Sequence, residues 1–299
     1  MRLQKTFEDL SIQQLHTFRL VYAHGGYSAA AEAAGCSTPT VWHHVQQLEQ
    51  AYGTELFTKV GRRVEPTDAA CRLYEAVEEI LARLDSTFAL VTEDESAQIT
   101  LVTGVRMMME DLAEPLACFR TQHSNAIRIL QGNEQQAEEL ILSGQADIAF
   151  ALEPGAGNAS PLIHYEPAFS ISFLAAGLPT HPFWKTKSCS MRELVKHPLV
   201  VTAPGTHGRD ALEQTLHAQR LTAEIVVETD NSGFTIACVQ AGMGLGILAG
   251  RPDGCLSRQL VTRSLSRQLG TRNIVFMWRK GRRLTNALLR LVEIIQCRL

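Results

Sequence analysis

The chain has 299 residues, of which 45% are hydrophobic and 20% are charged, and its formal net charge is −3 at pH 7. This is an ordinary globular composition for roughly two or three domains, and no stretch reaches the ~20 consecutive apolar residues of a transmembrane helix. Seven scattered cysteines without a C-x-x-C pair exclude a disulfide framework and a zinc site, so we interpret them as reduced thiols rather than a redox switch. The N-terminal segment has no apolar signal-peptide core, which predicts a cytoplasmic protein.

Charge is distributed unevenly along the chain. Residues 1–66 carry six cationic and six acidic side chains, whereas residues 251–299 carry eleven cationic and two acidic ones. Because a nucleic-acid-binding domain is usually basic, the balance in residues 1–66 argues mildly against that role.

Residues 11–66 have the pattern of short helices separated by turns. Ser11, with Gln14 three residues later, forms a capping-box pattern that predicts a helix start, and Gly25 ends that helix. Ser28 is predicted to cap a short alanine-rich second helix. Two short helices joined by a tight glycine turn, the second polar on its outer face, predict a helix-turn-helix.

The third helix is predicted to begin after Ser37 or Thr38, with Pro39 in its first turn, where a missing N–H costs nothing. Its inner face carries Val41, Val45 and Leu48, Trp42 lies at the boundary, and its outer face carries Pro39, His43, Gln46 and Gln47. The outer face is polar, neutral and rich in hydrogen-bonding groups, which suits the reading of base edges in a major groove. A face that is merely solvated would more often carry Glu and Lys.

His43 and His44 invite comparison with a metal site. Adjacent helical residues point about 100° apart, so the two rings cannot both face one ion. No second cluster of His, Cys or carboxylates lies near them in the sequence. The sequence therefore predicts no metal here.

The segment LFTKVGRRVEPT predicts a two-stranded hairpin that turns at Gly61, with Lys59, Arg62 and Arg63 around the turn. Three cations in a surface turn are common by chance. Beside a helix-turn-helix they fit a wing that contacts DNA phosphates, which position a protein without specifying sequence. Thr67, at the start of the next helix, would add a hydroxyl and an N–H to a phosphate.

One long helix is predicted from Asp68 to about Asp94. Its apolar side chains recur close to a heptad seam and are Leu73, Val77, Ile80, Leu84, Phe88 and Val91. Such a seam serves either as core or as a coiled-coil dimer contact. We favour dimerisation, because this helix joins two domains rather than lying inside one.

Beyond Ile99 short apolar segments alternate with helical ones, which predicts a largely parallel sheet with helices on its faces. The strand candidates are ITLVTG, IRILQG, ADIAFAL, SISFLAAG, HPLVVTAPG and AEIVVETDN. The helical segments include EDLAEPLACFRTQH, QQAEELILSG and GFTIACVQAG. A break near 154–157 divides this region into two predicted α/β lobes.

The turns after these strands are the predicted ligand site, because strand carboxyl ends and the helix N-termini that follow them bind ligands, particularly anions. The turns supply Val105, Arg106, Met107, Thr202, Gly205, Thr206, Asn231 and Ser232. Arg106 either binds an acidic ligand or pairs with Glu110 one turn further on, and the sequence favours neither. The methionines after it are more often core than pocket.

The sequence carries no catalytic motif. It has no G-x-S-x-G elbow, no H-E-x-x-H and no carboxylate pair fixed by a motif, and QAGMGLGIL lacks the order of a dinucleotide fingerprint. We therefore predict neither an enzyme nor a bound cofactor.

LHTFRLVYAHGGYSAAAEAAGCSTPTVWHHVQQLEQAYGTELFTKVGRRVEPTDAA resembles the N-terminal signature of LysR-type transcriptional regulators. ELILSGQADIAFAL and ETDNSGFTIACVQAGMGLGIL resemble the effector-binding half of that family, so the resemblance covers nearly the whole chain. It implies an all-α winged helix-turn-helix in 1–67, a linker and dimerisation helix in 68–95, and a two-lobed α/β effector domain, similar to periplasmic solute-binding proteins, in 96–299. Lobe I would take about 96–166 and 266–299, and lobe II about 167–265.

Carried over by position, the resemblance implies base contacts by Thr38, Pro39, Trp42 and His43, with phosphate contacts near Arg62, Arg63 and Thr67. Ser28 falls on the family's small hydroxyl position, and Gln46 joins the DNA-facing set from its place on the outer face. The ligand pocket would include Val105, Arg106, Met107, Asn133, Thr202 and Thr206, and we add Gly205 and Asn231 from their turns.

The chain departs from the family pattern at a few of these positions. The family usually has serine where this chain has Trp42, glutamine at Thr38, often an arginine near His43, and glycine at Ala70. An indole in place of serine alters the expected half-site rather than the fold. Trp42 would read a thymine methyl or pack against the wing.

The sequence therefore predicts a sequence-specific transcriptional regulator controlled by a small, anionic effector bound between two lobes. Its expected partners are double-stranded DNA, the effector, further copies of itself in a homodimer or homotetramer, and RNA polymerase, with no membrane partner. One alternative is a small-molecule or oxyanion-binding protein without functional DNA readout. Another is an enzyme built on the α/β half, such as a deaminase-type lyase.

Overall fold

The structure is a computed structural model that describes residues 10–60, 63–92, 98–155, 157–251, 254 and 260–298. The chain divides into two units. The N-terminal unit comprises Met1–Asp94, Ser160–His164 and Arg279–Thr285, and the C-terminal unit comprises Glu95–Ala159, Tyr165–Trp278 and Asn286–Leu299. Within the described ranges no helix is long and apolar enough to cross a membrane.

The elements of the N-terminal unit are α1 (Ile12–His24), α2 (Tyr27–Ala34), α3 (Thr38–Tyr52), β1 (Phe57–Val60), β2 (Arg63–Pro66) and α4 (Asp68–Thr92). The predicted capping box of α1 is confirmed, because the Ser11 hydroxyl accepts from the Gln14 N–H and the Gln14 side chain accepts from the Ser11 N–H. Ser37 caps α3 by accepting from the Thr40 N–H, and Pro39 lies in the first turn as predicted. Strands β1 and β2 form an antiparallel hairpin, and its predicted turn residue Gly61 lies outside the described residues.

Ser28 does not cap α2, and that prediction is wrong. The helix begins two residues earlier than predicted, at Tyr27, with Gly26 as its N-cap. The Tyr27 ring meets the Phe57 ring edge-on at 6.2 Å between centroids and packs against the small apolar core around Val21. Because this packing holds Tyr27 in the first turn, Ser28 becomes the second helical residue and its side chain is exposed.

The core of the N-terminal unit is formed by α1, α3 and the first half of α4. Fully buried side chains include Phe18, Val41, Val45, Leu48 and Val77. Each such side chain contributes roughly 1.5–3 kcal/mol of hydrophobic free energy relative to full exposure. Val77 belongs to the predicted heptad seam, so this part of the seam is core rather than a free surface.

The segment Arg279–Thr285 packs against α4 within the N-terminal unit. Arg279 Nη2 donates to the Glu78 carboxylate, Lys280 Nζ lies 3.7 Å from Glu79 Oε2, and the Arg283 N–H donates to Ser86 Oγ at 3.1 Å. Gly281 has a φ of 82°, and a Cβ at this position would overlap the Glu79 carbonyl oxygen. The segment therefore fits α4 closely only with glycine at this turn.

The C-terminal unit contains the remaining elements, apart from the ends of β6 and β11 that the N-terminal unit includes. The strands are β3 (Ile99–Thr103), β4 (Ile127–Gln131), β5 (Ile148–Leu152), β6 (Ile163–Gly177), β7 (Leu199–Thr202), β8 (Ile225–Thr229), β9 (Leu245–Gly250), β10 (Val261–Ser264) and β11 (Thr271–Arg279). The helices are α5 (Val105–Met107), α6 (Ala113–Gln122), α7 (Glu134–Leu142), α8 (Met191–Leu194), α9 (His207–Ala218), α10 (Ser232–Gln240), α11 (Ser266–Leu269) and α12 (Asn286–Arg298). A π-helical turn, Met108–Leu112, links α5 to α6.

These strands form one mixed sheet in the order β4-β3-β5-β11-β6-β9-β7-β8, with β10 paired to β6. Strands β4, β3 and β5 run parallel and form the first lobe, and β9, β7 and β8 run parallel and form the second. The two-lobed α/β architecture is confirmed. The sheet is not largely parallel, because β11 pairs with β5, and β6 with β9 and β10, in antiparallel register where the lobes join.

Helices cover both faces of the second lobe. On one face Leu212 of α9 packs with Phe173 and Leu199, and on the other Val239 of α10 packs with Val200. Parallel strands covered in this way are buried on both sides. Within each lobe the parallel strands end at the same edge, and the helices that follow them begin there, where the ligand site was predicted.

Candidate nucleic-acid interface and ligand cleft

The exposed side of α3 carries four of the residues predicted to contact DNA. Burial of Val41, Val45 and Leu48 turns the opposite side of the helix outward. The exposed side chains there are Thr38, Pro39, Trp42 and His43. Trp42 is 52% exposed, so it lies on the surface rather than at the boundary with the core.

Gln46 and Gln47 are both held by neighbouring side chains. Gln46 is half-buried and its Nε2 donates to Glu49 Oε2 at 2.5 Å, while Glu49 Oε1 accepts two backbone N–H groups at the start of the hairpin. Gln47 was predicted on the outer face, but it is half-buried and accepts a hydrogen bond from Gln14 at 2.9 Å. The prediction for Gln47 is wrong because α1 covers that side of α3.

The two adjacent histidines differ in their surroundings. His43 is exposed, whereas His44 is half-buried with its Nδ1 3.0 Å from the Thr17 hydroxyl of α1. His44 thus helps to fix α3 against α1. Across the part of the chain that the structure describes, no group of three or more His, Cys, Asp or Glu residues could hold a metal ion.

The hairpin presents Lys59 as an exposed cation on β1. Arg62 lies outside the described residues. Arg63 pairs with Val60 through its backbone, and its side chain lies outside the described set. Ser28, on α2, is exposed.

Thr67 has structural hydrogen bonds of its own. Its hydroxyl donates to the Glu55 carbonyl at 2.9 Å and accepts from the Ala70 N–H at 3.2 Å, and its N–H donates to the Leu56 carbonyl at 2.9 Å. The residue therefore caps α4 and anchors the preceding loop. A phosphate contact by Thr67 would compete with these bonds.

A cavity of about 360 Å³ lies between the two lobes of the C-terminal unit. All eight residues predicted to bind a ligand line it: Val105, Arg106, Met107, Asn133, Thr202, Gly205, Thr206 and Asn231. Asn133 and Gly205 are exposed, Arg106 and Met107 are buried, and the others are half-buried. The fold thus brings together turns that lie more than a hundred residues apart.

Asn133, Thr206 and Asn231 each cap a helix that begins at the cavity. Their side chains accept from the N–H three residues further on, at 2.9, 3.4 and 3.1 Å. Each cap satisfies one of the N–H groups that lack a partner within the helix, and the others at each N-terminus remain for a ligand. The positive ends of the α7, α9 and α10 dipoles meet here, which suits an anion.

Arg106 belongs to a buried cluster of charges. Its Nη1 donates to Asp111 Oδ2 at 3.0 Å and lies 3.8 Å from Glu110 Oε2, while Arg251 Nε lies 3.8 Å from Asp111 Oδ1. The pairing with Glu110 left open by the sequence is present, and Asp111 is a closer partner that the sequence did not reveal. The intervening π-helical turn brings a residue five positions on over Arg106. Much of the Arg106 charge is therefore compensated inside the protein.

Burial dominates the titration of both carboxylates in this cluster. It raises the pKa of Glu110 to about 7, although Arg106 opposes the rise. Burial also raises the pKa of Asp111, again against the effect of Arg106. Arg106 thus has two carboxylate partners in this cluster, while its Nη2 is buried without a hydrogen-bond partner in the part of the chain that the structure describes.

Sequence reasoning missed a charged pair that spans the cavity. Glu134 is the first residue of α7 and His207 the first of α9; both line the cavity, with His207 Nε2 2.6 Å from Glu134 Oε1. Their hydrogen bond raises the pKa of His207 and lowers the pKa of Glu134. Each residue directly follows a helix cap, Asn133 or Thr206, and that position was the available signal.

Arg272 of β11 is a second cation of the lining that the sequence did not reveal. Its Nη1 donates to the Thr271 carbonyl at 2.9 Å, and its guanidinium carbon lies 5.9 Å from the centre of the Phe173 ring. No strand was predicted at β11, so nothing in the sequence connected Arg272 with the ligand turns. His207 and Arg272 thus join Arg106 among the basic side chains that line this cavity.

Two family matches cover most of the chain. Residues 12–71 match "Bacterial regulatory helix-turn-helix protein, lysR family", and residues 93–299 match "LysR substrate binding domain". The two matched segments correspond to the α1–α4 region with its hairpin and to the two-lobed sheet that holds the cavity.

Individual relatives agree with these matches. The chain is 28% identical over 245 residues to the HTH-type transcriptional regulator CysB of Burkholderia cenocepacia, covering 79% of this chain and 77% of that one. It is 25% identical over 249 residues to the HTH-type transcriptional activator CmpR of Synechocystis sp., covering 81% and 80%. A full-length OxyR variant from Pseudomonas aeruginosa has a similar fold, with a TM-score of 0.59 and 16% identity over 96% of this chain and 95% of that one. The chain therefore belongs to the LysR family of DNA-binding transcriptional regulators with an effector-binding domain.

Proposed function

We propose that this regulator reads a DNA sequence through α3, contacts DNA phosphates with its hairpin, and responds to a small anionic effector bound between its lobes. The observation that carries the proposal is the cavity. Helix N-termini and two cationic side chains, His207 and Arg272, line it together. Both features stabilise negative charge.

The α3 surface supports the DNA part of the proposal. Thr38 and His43 offer hydrogen-bonding groups, and the exposed Trp42 offers an apolar face large enough to contact a thymine methyl. Lys59 supplies a positive charge on the adjacent hairpin. Base contacts would set the preferred sequence, and phosphate contacts by the hairpin would set the register.

The second half of α4 supports a homodimer. We extend the proposal to a tetramer built from two such dimers. Ile80, Phe88 and Val91 are 50%, 70% and 83% exposed. They belong to the apolar series Ile80, Leu84, Phe88 and Val91, whose spacing of 4, 4 and 3 residues is close to a heptad seam and suits a coiled-coil partner. Contact with RNA polymerase and a cytoplasmic location stay predictions from the sequence.

The lining of the cavity supports a binding role rather than a catalytic one. Its caps hold helix ends, and the imidazole of His207 is bonded to Glu134 rather than to a nucleophile. We therefore infer that the protein is not an enzyme.

Mobility-shift measurements with DNA from upstream of the gene test the DNA part. His43→Ala or Trp42→Ser is expected to change the preferred sequence, since each lost base contact removes about 1–3 kcal/mol of discrimination. Lys59→Ala is expected to weaken binding to every sequence and to lower the salt slope by about one unit. Lys187→Ala, which removes an exposed cation of the C-terminal unit, is the matched control.

The effector part is tested by calorimetry of the full chain against aromatic acids, amino acids and oxyanions. At least one anion is expected to bind and to alter the DNA footprint. Wild-type DNA binding by every variant would contradict the docking of α3. A neutral compound that binds more tightly than all the anions would contradict the charge of the effector.

A further inference from the structure

One of the basic side chains that line the cavity, His207, is already hydrogen-bonded to a carboxylate of the protein itself. Glu134 Oε1 lies 2.6 Å from His207 Nε2, and both residues line the cavity. The two side chains belong to different lobes, because α7 packs on β3 and β5 whereas α9 packs on β7 and β9. Their hydrogen bond therefore links the two lobes directly across the cavity.

The positions of both residues at helix starts explain why they pair. Negative charge on Glu134 is stabilised by the positive end of the α7 dipole, whereas positive charge on His207 is opposed by the α9 dipole. A charged His207 consequently needs an anion beside it. Among the other charged groups near it, Asp210 of α9 favours the charged imidazole and Arg272 of β11 opposes it. The bond to Glu134 prevails and raises the pKa of His207.

A small anion from solution could accept more hydrogen bonds beside His207 than the Glu134 carboxylate does. It would accept from His207, from the first N–H groups of α9, and from Arg272, whose guanidinium also lines the cavity. The Glu134 carboxylate is tethered to α7 and accepts from His207 alone among these lining groups in the described contacts. Its side chain is 26% exposed, so after displacement it can return to water at small cost.

We propose that Glu134 is a built-in competitor of the effector: its carboxylate holds His207 in the free protein, and the cavity accepts a ligand whose own carboxylate or phosphate takes that place. The inference rests on the anionic effector proposed above. A neutral ligand cannot replace the Glu134 charge and is rejected for that reason. The exchange also turns a direct bond between the lobes into one through the ligand, which links occupancy of the cavity to the arrangement of the lobes.

The test uses the full chain, with benzoate and inorganic phosphate as anionic probes and benzamide as the neutral analogue of benzoate. In calorimetry at pH 6.5 and constant ionic strength, Glu134→Ala is expected to bind both anions about tenfold more tightly than wild type, the value of one charge-assisted hydrogen bond. Benzamide binding is expected to stay unchanged. Adding His207→Gln to Glu134→Ala is expected to remove the gain.

Two controls separate this role from a general change of charge. Glu139→Ala removes an exposed carboxylate from the same helix, away from the cavity, and is expected to bind the probes as wild type does. NMR titration of histidine-labelled protein, assigned with His207→Gln, reports on the pair without a ligand. Glu134→Gln is expected to lower the pKa of His207, because the bond that raises it loses its charge.

Each outcome decides between the two proposals. Equal anion affinity in wild type and Glu134→Ala would overturn the competition and leave the anionic effector intact. Failure of both proteins to bind either anion would overturn both. A His207 titration that is the same in wild type and Glu134→Gln would show that the pair does not form in solution, and would overturn the inference alone.

Discussion

At position 110 the fold places a carboxylate where only 4% of the side chain is exposed. Burial raises the pKa of Glu110 from 4.5 to about 7, so between these values the folded protein holds a proton that the unfolded chain releases. The folded pKa lies above the unfolded one. The stabilising contribution of protonated Glu110 is therefore complete below about pH 4.5 and is lost as the pH rises through about 7.

Glu110→Gln is expected to keep the stability of the protonated form at every pH. At pH 5 the variant should be more stable than wild type by less than about 1 kcal/mol, and at pH 8 by about 2–3 kcal/mol, because each pKa unit corresponds to about 1.4 kcal/mol. Urea unfolding at the two pH values measures the difference. Glu139→Gln on the exposed side of α7 is the control, and an advantage of Glu110→Gln that is the same at pH 5 and pH 8 would contradict the burial argument.

Among the elements, α4 changes character along its length. Val77 is fully buried against α1 and α3, whereas Ile80 and Val91 are 50% and 83% exposed. Large apolar side chains of this kind gain about 25 cal/mol for each Å² that a partner covers. The helix thus serves as core in its first half and offers a contact surface in its second.

The double variant Ile80→Glu, Val91→Glu is expected to shift the protein towards monomers. Placing two charges in an apolar dimer contact should weaken association at least about a hundredfold, or about 3 kcal/mol. Sedimentation equilibrium measures the change, and circular dichroism checks that the helices remain folded. Glu75→Lys changes charge on the far side of α4 and should leave association intact. An unchanged dimer in the double variant would exclude α4 as the contact.

At the scale of the whole molecule, the N-terminal unit is built from parts far apart in sequence. The Glu78 side chain is 7% exposed and accepts from Arg279, which lies 201 residues further on, while Arg19 Nε lies 3.9 Å from its other oxygen. A buried carboxylate that loses a partner costs far more than an exposed one. This pairing therefore ties the Arg279–Thr285 segment to the DNA-binding region.

Arg279→Met is expected to destabilise the N-terminal unit by about 2–4 kcal/mol, because Glu78 then loses its direct ion pair and keeps the more distant Arg19 and a hydrogen bond with Tyr74. Glu78→Gln in the same chain should restore part of the loss. Urea unfolding gives the magnitude, and hydrogen exchange of the α4 amides locates it. Arg290→Met breaks an exposed ion pair with Glu293 and should cost less than about 1 kcal/mol. Equal losses in Arg279→Met and Arg290→Met would contradict the role of burial.

Local patterns were enough to predict the helix starts and the lining turns. Ser11 with Gln14, and Ser37 with Pro39, act within four residues, so the sequence displays them directly. The predicted ligand residues follow strands, and the turns that carry them line one cavity. Ser28 failed as a cap because a ring from β1, not a neighbour in sequence, sets the start of α2.

The missed features all depend on contacts between distant segments. Glu134 meets His207 across 73 residues, and Arg272 reaches the cavity only because β11 pairs between the lobes. Asp111 reaches Arg106 through a π-helical turn, which a pattern of 3.6 residues does not reveal. Periodicity and capping carry no information about such pairings.

The closing of the N-terminal unit by Arg279–Thr285 sets an order of events during synthesis. The ribosome adds this segment long after α1 to α4, which emerge early and can begin to fold before it. Until then Glu78 of α4 lacks its partner Arg279, and the surface of α4 that the segment later covers is exposed. A transcript cut short before codon 279 would yield a DNA-binding region that lacks its last structural part. The contact between this segment and α4 can therefore form only after translation has passed residue 285.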